Sequence, residues 1–335
     1  MTTTAMKSPA GSNRALQSIW GWIKRVPPVY YIFLAVFIVL AFLNPTLFAT
    51  PNGIMTFLRR ASPLAVLAIG EMMVLALGGF DLSIGSIVTL VVLASSLLLN
   101  NDPSKAYPAI AIMLGLGLLI GLTNGLIVSY LKVPSFIVTL GTMLLVRGGA
   151  LYWVGGAPRG YLTDNWRAFG RNYIQNVPLL GRVPYALIIL LIIAGIAYFL
   201  FHRTNYGRQI LAIGDNVRAS RLSGTRVEFV RILTFVICSL CAIIGGIMIG
   251  GYGGVNVTIG QGLEMQTIAA CVVGGVMLLG GKGSVPNAIF GAFTMQALVE
   301  LLNLLGLPKP YKDAVQGLII IAAVAYSAYS TRRKR

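Results

Sequence analysis

The chain has 335 residues, 56% of them hydrophobic and only 10% charged, with 39 glycines and a formal net charge of +17. Soluble domains carry about 25% charged residues, so this composition excludes a water-soluble fold. Its apolar runs approach the roughly 20 residues that cross a bilayer, and they do not alternate as barrel strands would, which leaves an all-α polytopic membrane protein. The basic residues cluster in short loops and tails, a pattern of membrane topology and not of nucleic-acid binding.

In chain order, residues 1–28 read as a cytoplasmic tail with an interfacial helix around Trp20 and Trp22. A single membrane domain is expected over 29–329, with a basic cytoplasmic C-terminus at 330–335. Its first span is expected at 29–43, between Pro27-Pro28 and Asn44-Pro45. Residues 52–60 are polar enough for the interface, and the second span, 63–79, carries Glu71 at mid-depth. A break at Gly78-Gly79-Phe80-Asp81-Leu82-Ser83 precedes the third span, which ends at Leu99. The fourth span, 109–131, is rich in glycine and holds Asn124; the fifth, 135–154, holds Arg147.

A long loop, 155–183, leads to the sixth span, 184–201. The polar stretch 202–229 follows, and within it residues 216–222 read as a short amphipathic helix closed by Gly224. Spans are expected at 230–251, 264–279, 285–305 and 311–329, with a second glycine break at Gly280-Gly281-Lys282-Gly283-Ser284. This makes ten spans and puts both termini on one side. With that side cytoplasmic, sixteen basic residues lie inside and nine outside, Arg147 lying within a span, so the bias places both termini in the cytoplasm. The two Gly-Gly breaks, each after an apolar helix and each followed later by a proline turn, hint at a weak internal repeat of broken helices, a sequence pointer to a transport path.

No catalytic constellation is evident. His202 is the lone histidine and has no sequence-evident partner, and no G-x-S-x-G or zinc-ligand spacing is present. The Gly280–Ser284 run fails as a Walker A motif, because Val276 and Gly283 stand where glycine and Ser or Thr are required. Cys238 and Cys241 are expected to be small buried residues and not a redox pair.

The polar groups within spans are more informative, and Glu71, Asp81, Ser83 and Asn124 are the candidates for a translocation pathway. For Glu71 two placements stay open, on the pathway or paired with Arg147 inside the bundle. Asp81 is expected to cap the following helix, and Glu264 to sit in a first helical turn.

Four ordered stretches, GGFDLSIGS, LKVPSFIVTLGT, GDNVRASRLSG and GQGLEMQTIAACVVGGVMLLGGKGS, resemble the permease subunit of ribose-type bacterial ABC importers, which carry pentoses, hexoses, related polyols and autoinducer-2. The resemblance runs from about Ser62 to the C-terminus and implies a type II importer fold in the bacterial inner membrane. It implies that no cofactor is bound by this chain, ATP and Mg residing on a cytoplasmic ATPase. Implied partners are that ATPase, a periplasmic or extracellular solute-binding protein, a second permease copy (identical or paralogous) and membrane lipid. It also implies that Gly214 to Gly224 form the helix that engages the ATPase, through Gly214, Asn216, Arg218, Ala219, Arg221, Leu222 and Gly224. The family commonly carries Asn-Glu-Ala-Ala where this chain has Asn216-Val217-Arg218-Ala219, which implies a partner with a matching acidic groove. Arg159, Arg167 and Arg171 in the outer loop are candidates for docking the binding protein. The rival from another class is a proton-coupled secondary transporter using Glu71 or Asp81.

Overall fold

The computed structural model describes residues 26–48 and 50–332. The N-terminal tail with Trp20 and Trp22, and the last three basic residues, lie outside the described residues.

Helix α1 (Pro28–Leu43) starts on a proline, whose missing N–H costs nothing at a helix N-terminus, and α2 (Pro45–Phe48) is a single turn. Helix α3 (Pro51–Ala76) opens on Thr50, whose side chain accepts from the Gly53 N–H. The expected interfacial stretch at 52–60 and the expected span at 63–79 are in fact one helix, with Pro63 inside it. Proline removes a helical hydrogen bond there, and next to it the Ser62 hydroxyl donates to the Leu58 carbonyl at 2.6 Å. Helices α4 (Ile84–Leu99), α5 (Ala106–Tyr130) and α6 (Ser135–Trp153) follow.

The loop 155–183 is folded. It holds α7 (Asp164–Arg171) and an antiparallel hairpin of β1 (Tyr173–Val177) and β2 (Gly181–Pro184), with Tyr173 opposite Pro184. The all-α expectation is corrected by this hairpin. Helix α8 (Tyr185–Tyr198) runs on into a π-helical turn, Phe199–Arg203. Then come α9 (Asn205–Asp215), α10 (Val217–Leu222), α11 (Val227–Gly253), α12 (Leu263–Val273), α13 (Val285–Leu304) and α14 (Lys309–Arg332). The eighth expected span, 264–279, is helical only to Val273; residues 274–284 are turns and coil.

Among the described residues, five helical segments are long and apolar enough to cross a membrane: Pro103–Tyr130, Ser135–Trp153, Tyr185–Arg203, Val227–Gly253 and Val285–Leu304. Helix α3 is also long but carries Arg59, Arg60 and Glu71. The mostly buried α11 is the central post and packs on α3, α4 and α5. Its seam with α5 is made by small residues one turn apart. A Cβ on Gly121 would lie 2.6 Å from the Val236 Cα, and one on Gly125 would lie 2.7 Å from the Ile232 Cα, so the two backbones touch. Helices α5, α6 and α8 leave many large apolar side chains exposed, including Leu119, Leu145 and Leu191, as a lipid-facing surface requires.

Candidate functional site

Helix α3 ends where it does because Gly78 takes φ +87°, which an L side chain resists. The Gly79 N–H bonds the Val74 carbonyl and the Gly78 N–H the Leu75 carbonyl, both at 2.9 Å, closing a Schellman motif. Residues 80–83 then run without helical bonds inside an apolar bundle, where each free N–H must find an acceptor. Side chains supply all four. The Phe80 N–H donates to Ser135 Oγ (3.0 Å), the Asp81 N–H to Glu71 Oε1 (3.3 Å), the Leu82 N–H to Thr139 Oγ1 (3.1 Å) and the Ser83 N–H to Asp81 Oδ1 (2.9 Å).

A second layer holds those acceptors. The Ser83 hydroxyl donates to Asp81 Oδ1 at 2.5 Å, Asn124 Nδ2 donates to Ser83 Oγ at 3.3 Å, and the Thr142 hydroxyl donates to Asn124 Oδ1 at 2.6 Å. The Cys238 thiol approaches Glu71 Oε2 at 3.8 Å. The four pathway candidates Glu71, Asp81, Ser83 and Asn124 are thus gathered into one network, and all four are 0% exposed.

Two expectations are corrected here. Asp81 does not cap α4: the N-cap position belongs to Ser83, which makes no side-chain cap bond, and Asp81 holds the turn before it. Glu71 does not pair with Arg147, which lines a separate cleft with Glu264. Glu264 does sit in the first turn of α12.

The second break has the same closure. Gly275, at φ +78°, follows α12; its N–H bonds the Val272 carbonyl at 2.8 Å and the Val276 N–H bonds the Cys271 carbonyl at 3.0 Å. Beyond it, the Gly281 N–H donates to the Ala76 carbonyl at 2.9 Å, joining the two breaks directly. Gly214, on α9, packs into this junction. A Cβ there would lie 2.0 Å from the Ala76 carbonyl oxygen and 2.4 Å from the Gly281 nitrogen. His202, which lacked a partner in the sequence, accepts the Val285 N–H on Nε2 at 3.3 Å and so caps α13. Nothing in the sequence signals this bond, since its partners are 83 residues apart.

From this junction α10 projects. The Asn216 side chain accepts from the Ala219 N–H at 3.0 Å at its start. At its end Gly224, at φ +84°, closes a third Schellman motif, the Thr225 N–H bonding the Ser220 carbonyl at 3.1 Å. Asn216, Arg218, Ala219, Arg221, Leu222 and Gly224 are exposed, while Ser220 faces inward. Leu222 is 82% exposed, an apolar tip on a basic helix, and Arg221 is ion-paired with Glu228.

At the opposite, hairpin end, the three docking candidates differ. Arg159 and Arg171 are exposed, Arg171 lying 3.5 Å from Asp164. Arg167 is half-buried, its Nε donating to the Gly251 carbonyl at 3.0 Å, and it lines a cavity of about 380 Å³ with Pro158, Tyr161 and Leu162. Nearby, the guanidinium of Arg182 stacks on Tyr173 at 4.4 Å and that of Arg59 lies 5.3 Å from the same ring, pinning the hairpin to α3.

The family model for the branched-chain amino acid transport system / permease component matches residues 53–324. The chain belongs to that family. Similar permeases include the ribose import permease protein RbsC of Escherichia coli (strain K12), 35% identical over 285 residues, 84% of this chain and 87% of that protein. The ribose import permease protein RbsC of Bacillus subtilis (strain 168) is 34% identical over 309 residues, 91% of this chain and 92% of that protein. The autoinducer 2 import system permease protein LsrC of Escherichia coli (strain K12 / DH10B) is 32% identical over 267 residues, 79% of this chain and 76% of that protein. No solved structure matches. This permease is therefore a multi-pass transport subunit and not an enzyme. Both broken helices, the junction at Gly214 and α10 lie within the matched region.

Proposed function

We propose that this permease is the membrane subunit of an ABC importer that carries a monosaccharide or similar small polar solute, ribose-like sugars first, into the cytoplasm. The similarity to permeases named for ribose and autoinducer-2 import supports this class of solute. Ten crossings of the bacterial inner membrane place both termini, the junction and α10 on the cytoplasmic side, with the hairpin outside. Two copies enclose the path, a cytoplasmic ATPase engages α10, and a solute-binding protein docks on the outer face through Arg159 and Arg171.

One observation carries the reading: α10 is exposed at its tip and rooted at Gly214 in the contact between both helix breaks. Force applied to Arg218 and Leu222 therefore reaches α3 and the 274–284 segment through backbone contacts, which have no soft side chains between them. In this conformation Glu71 and Asp81 are sealed and hold backbone N–H groups, an arrangement that favours a structural clasp over a proton relay.

The test is uptake of labelled pentoses, hexoses and autoinducer-2 into vesicles containing the permease and its co-purifying partners, with ATP supplied on the α10 side and an uncoupler in half the samples. Uptake that needs ATP and survives the uncoupler is the expected result. Uptake that ignores ATP and collapses with the proton gradient would replace this reading with a secondary carrier.

A further inference from the structure

Between the ends of α3 and α5, the start of α6 and the first turns of α11 lies a recess of about 230 Å³. That is the volume of roughly eight waters at about 30 Å³ each, room for one phosphate group with its ester oxygens. Lys132, Arg231 and Ser135 line it, and no carboxylate does. Arg231 stands four residues into α11, about 6 Å at 1.5 Å per residue, which puts the recess at headgroup depth on the junction side.

Every polar side chain in this lining can donate, and its donors are unspent. Among the described residues neither Lys132 nor Arg231 makes a hydrogen bond or an ion pair; Glu228, one turn before Arg231, bonds to Arg221 instead. The Ser135 hydroxyl accepts from the Phe80 N–H, and its own proton has no acceptor there. Ser135 also opens α6, whose N-cap Pro134 makes no side-chain cap bond, so the helix begins on N–H groups without an intrahelical acceptor.

Lys132 lies just past the end of α5 at φ +57°, the left-handed position that glycine usually takes. Its strained backbone thus carries a cation at the turn from α5 into α6. The residues beside these donors are apolar and exposed: Tyr130 and Leu131 before Lys132, and Phe136 after Ser135. A free anion arriving from water gains nothing from them. The chains of a lipid do, and tyrosine is typical of the membrane–water boundary. Most basic residues on this side stand in open loops and need only set topology, whereas cations in a recess between spans are suited to hold an anionic headgroup.

We infer that this recess binds the phosphodiester headgroup of an anionic phospholipid. Gly78 and Gly79, which close α3, are part of its lining, so the bound headgroup braces the helix break from the junction side. The site stands apart from what the permease carries and from how transport is energised.

The test uses the full-length permease in a neutral detergent, where no bilayer surface potential acts. It is titrated with dioleoyl phosphatidylglycerol, dioleoyl phosphatidylcholine or inorganic phosphate, and both the melting temperature and the lipid retained in native mass spectrometry are read. Phosphatidylglycerol should raise the melting temperature saturably, with one lipid retained per chain; the other two should do neither. Lys132→Gln and Arg231→Gln should each weaken the apparent affinity about fivefold, and Lys132→Arg should keep it. Arg218→Gln, which removes the same charge from the exposed α10, should bind as the parent does. Should Arg231→Gln fail to fold, Lys132→Gln decides alone, because it changes an exposed side chain. Equal shifts with phosphatidylcholine, parent affinity in Lys132→Gln, or an equal loss in Arg218→Gln would each overturn the inference. A shift with inorganic phosphate as large as that with phosphatidylglycerol would overturn the lipid and give the recess to a free anion.

Discussion

Glu71 Oε1 accepts the backbone N–H of Asp81 at 3.3 Å, across a helix break in which both residues are fully buried. The carboxylate takes the place of the helical carbonyl that the unwound chain lacks. Glu71→Gln keeps an acceptor in the same place and should leave the melting temperature of the purified permease nearly unchanged, with uptake insensitive to external pH. Glu71→Ala strands the Asp81 N–H, a cost of about 1–3 kcal/mol, and should lower that melting temperature clearly. Equal melting of the two variants would show that the bond contributes nothing.

Gly214→Ala introduces a Cβ 2.0 Å from the Ala76 carbonyl oxygen, a backbone atom that cannot swing aside. The junction must open, so ATP hydrolysis should persist in the assembled complex while uptake falls by an order of magnitude or more. Gly224→Ala, by contrast, meets open space but at φ +84°, where an L residue costs about 1–2 kcal/mol. Its effect should be milder and confined to α10. A reversed order of severity, read from uptake per ATP hydrolysed, would remove Gly214 from the force path.

On α10 itself, Leu222→Asp and Arg218→Glu change exposed side chains and should not alter folding, as near-ultraviolet circular dichroism would report. Both should reduce co-purification of the ATPase. Arg221→Ala breaks only an exposed ion pair with Glu228, worth about 0–1 kcal/mol, so its melting temperature should stay at the parent value. Full retention of the ATPase by Leu222→Asp would count against α10 as the contact.

Charge reversal at Arg159 and Arg171 should weaken binding-protein docking, with a loss that shrinks as salt rises. Arg167→Ala should act differently. It deletes a bond to the Gly251 carbonyl, so it should cost thermal stability more than docking affinity. Titration calorimetry at two ionic strengths, beside a melting curve, separates the two effects.

The helix breaks were legible because glycine pairs and a buried Asp stand out in apolar sequence. Their closure was not legible. Ser135 and Thr139, which accept from Phe80 and Leu82, lie 55 and 57 residues away and look like ordinary start-of-helix hydroxyls. Local signals also misled. Pro63 and the adjoining arginines suggested a boundary inside what is a single helix, α3, and the apolar run 274–279 hid the turn at Gly275. The hairpin was missed although Asn176 and Gly181 flank its tip at φ +58° and +71°, because the strands they join are only five and four residues long and show no clear alternation. Of the two placements open to Glu71 in the sequence, the pairing with Arg147 does not form: Glu71 is sealed against Asp81, while Arg147 is open beside Glu264.

The seam between α5 and α11 bears on how such a molecule can move. Where Gly121 meets Val236 and Gly125 meets Ile232, the nearest atoms are backbone, with only the Ser239 hydroxyl and the Ile232 Cβ beside them, so little can swing aside to let one helix ride past the other. A slip of even one residue would drive a Cβ into the opposite chain. These two helices therefore turn as a single strut, and any alternation of access must be distributed among elements packed less closely around it, with the strut as the fixed axis against which they are levered.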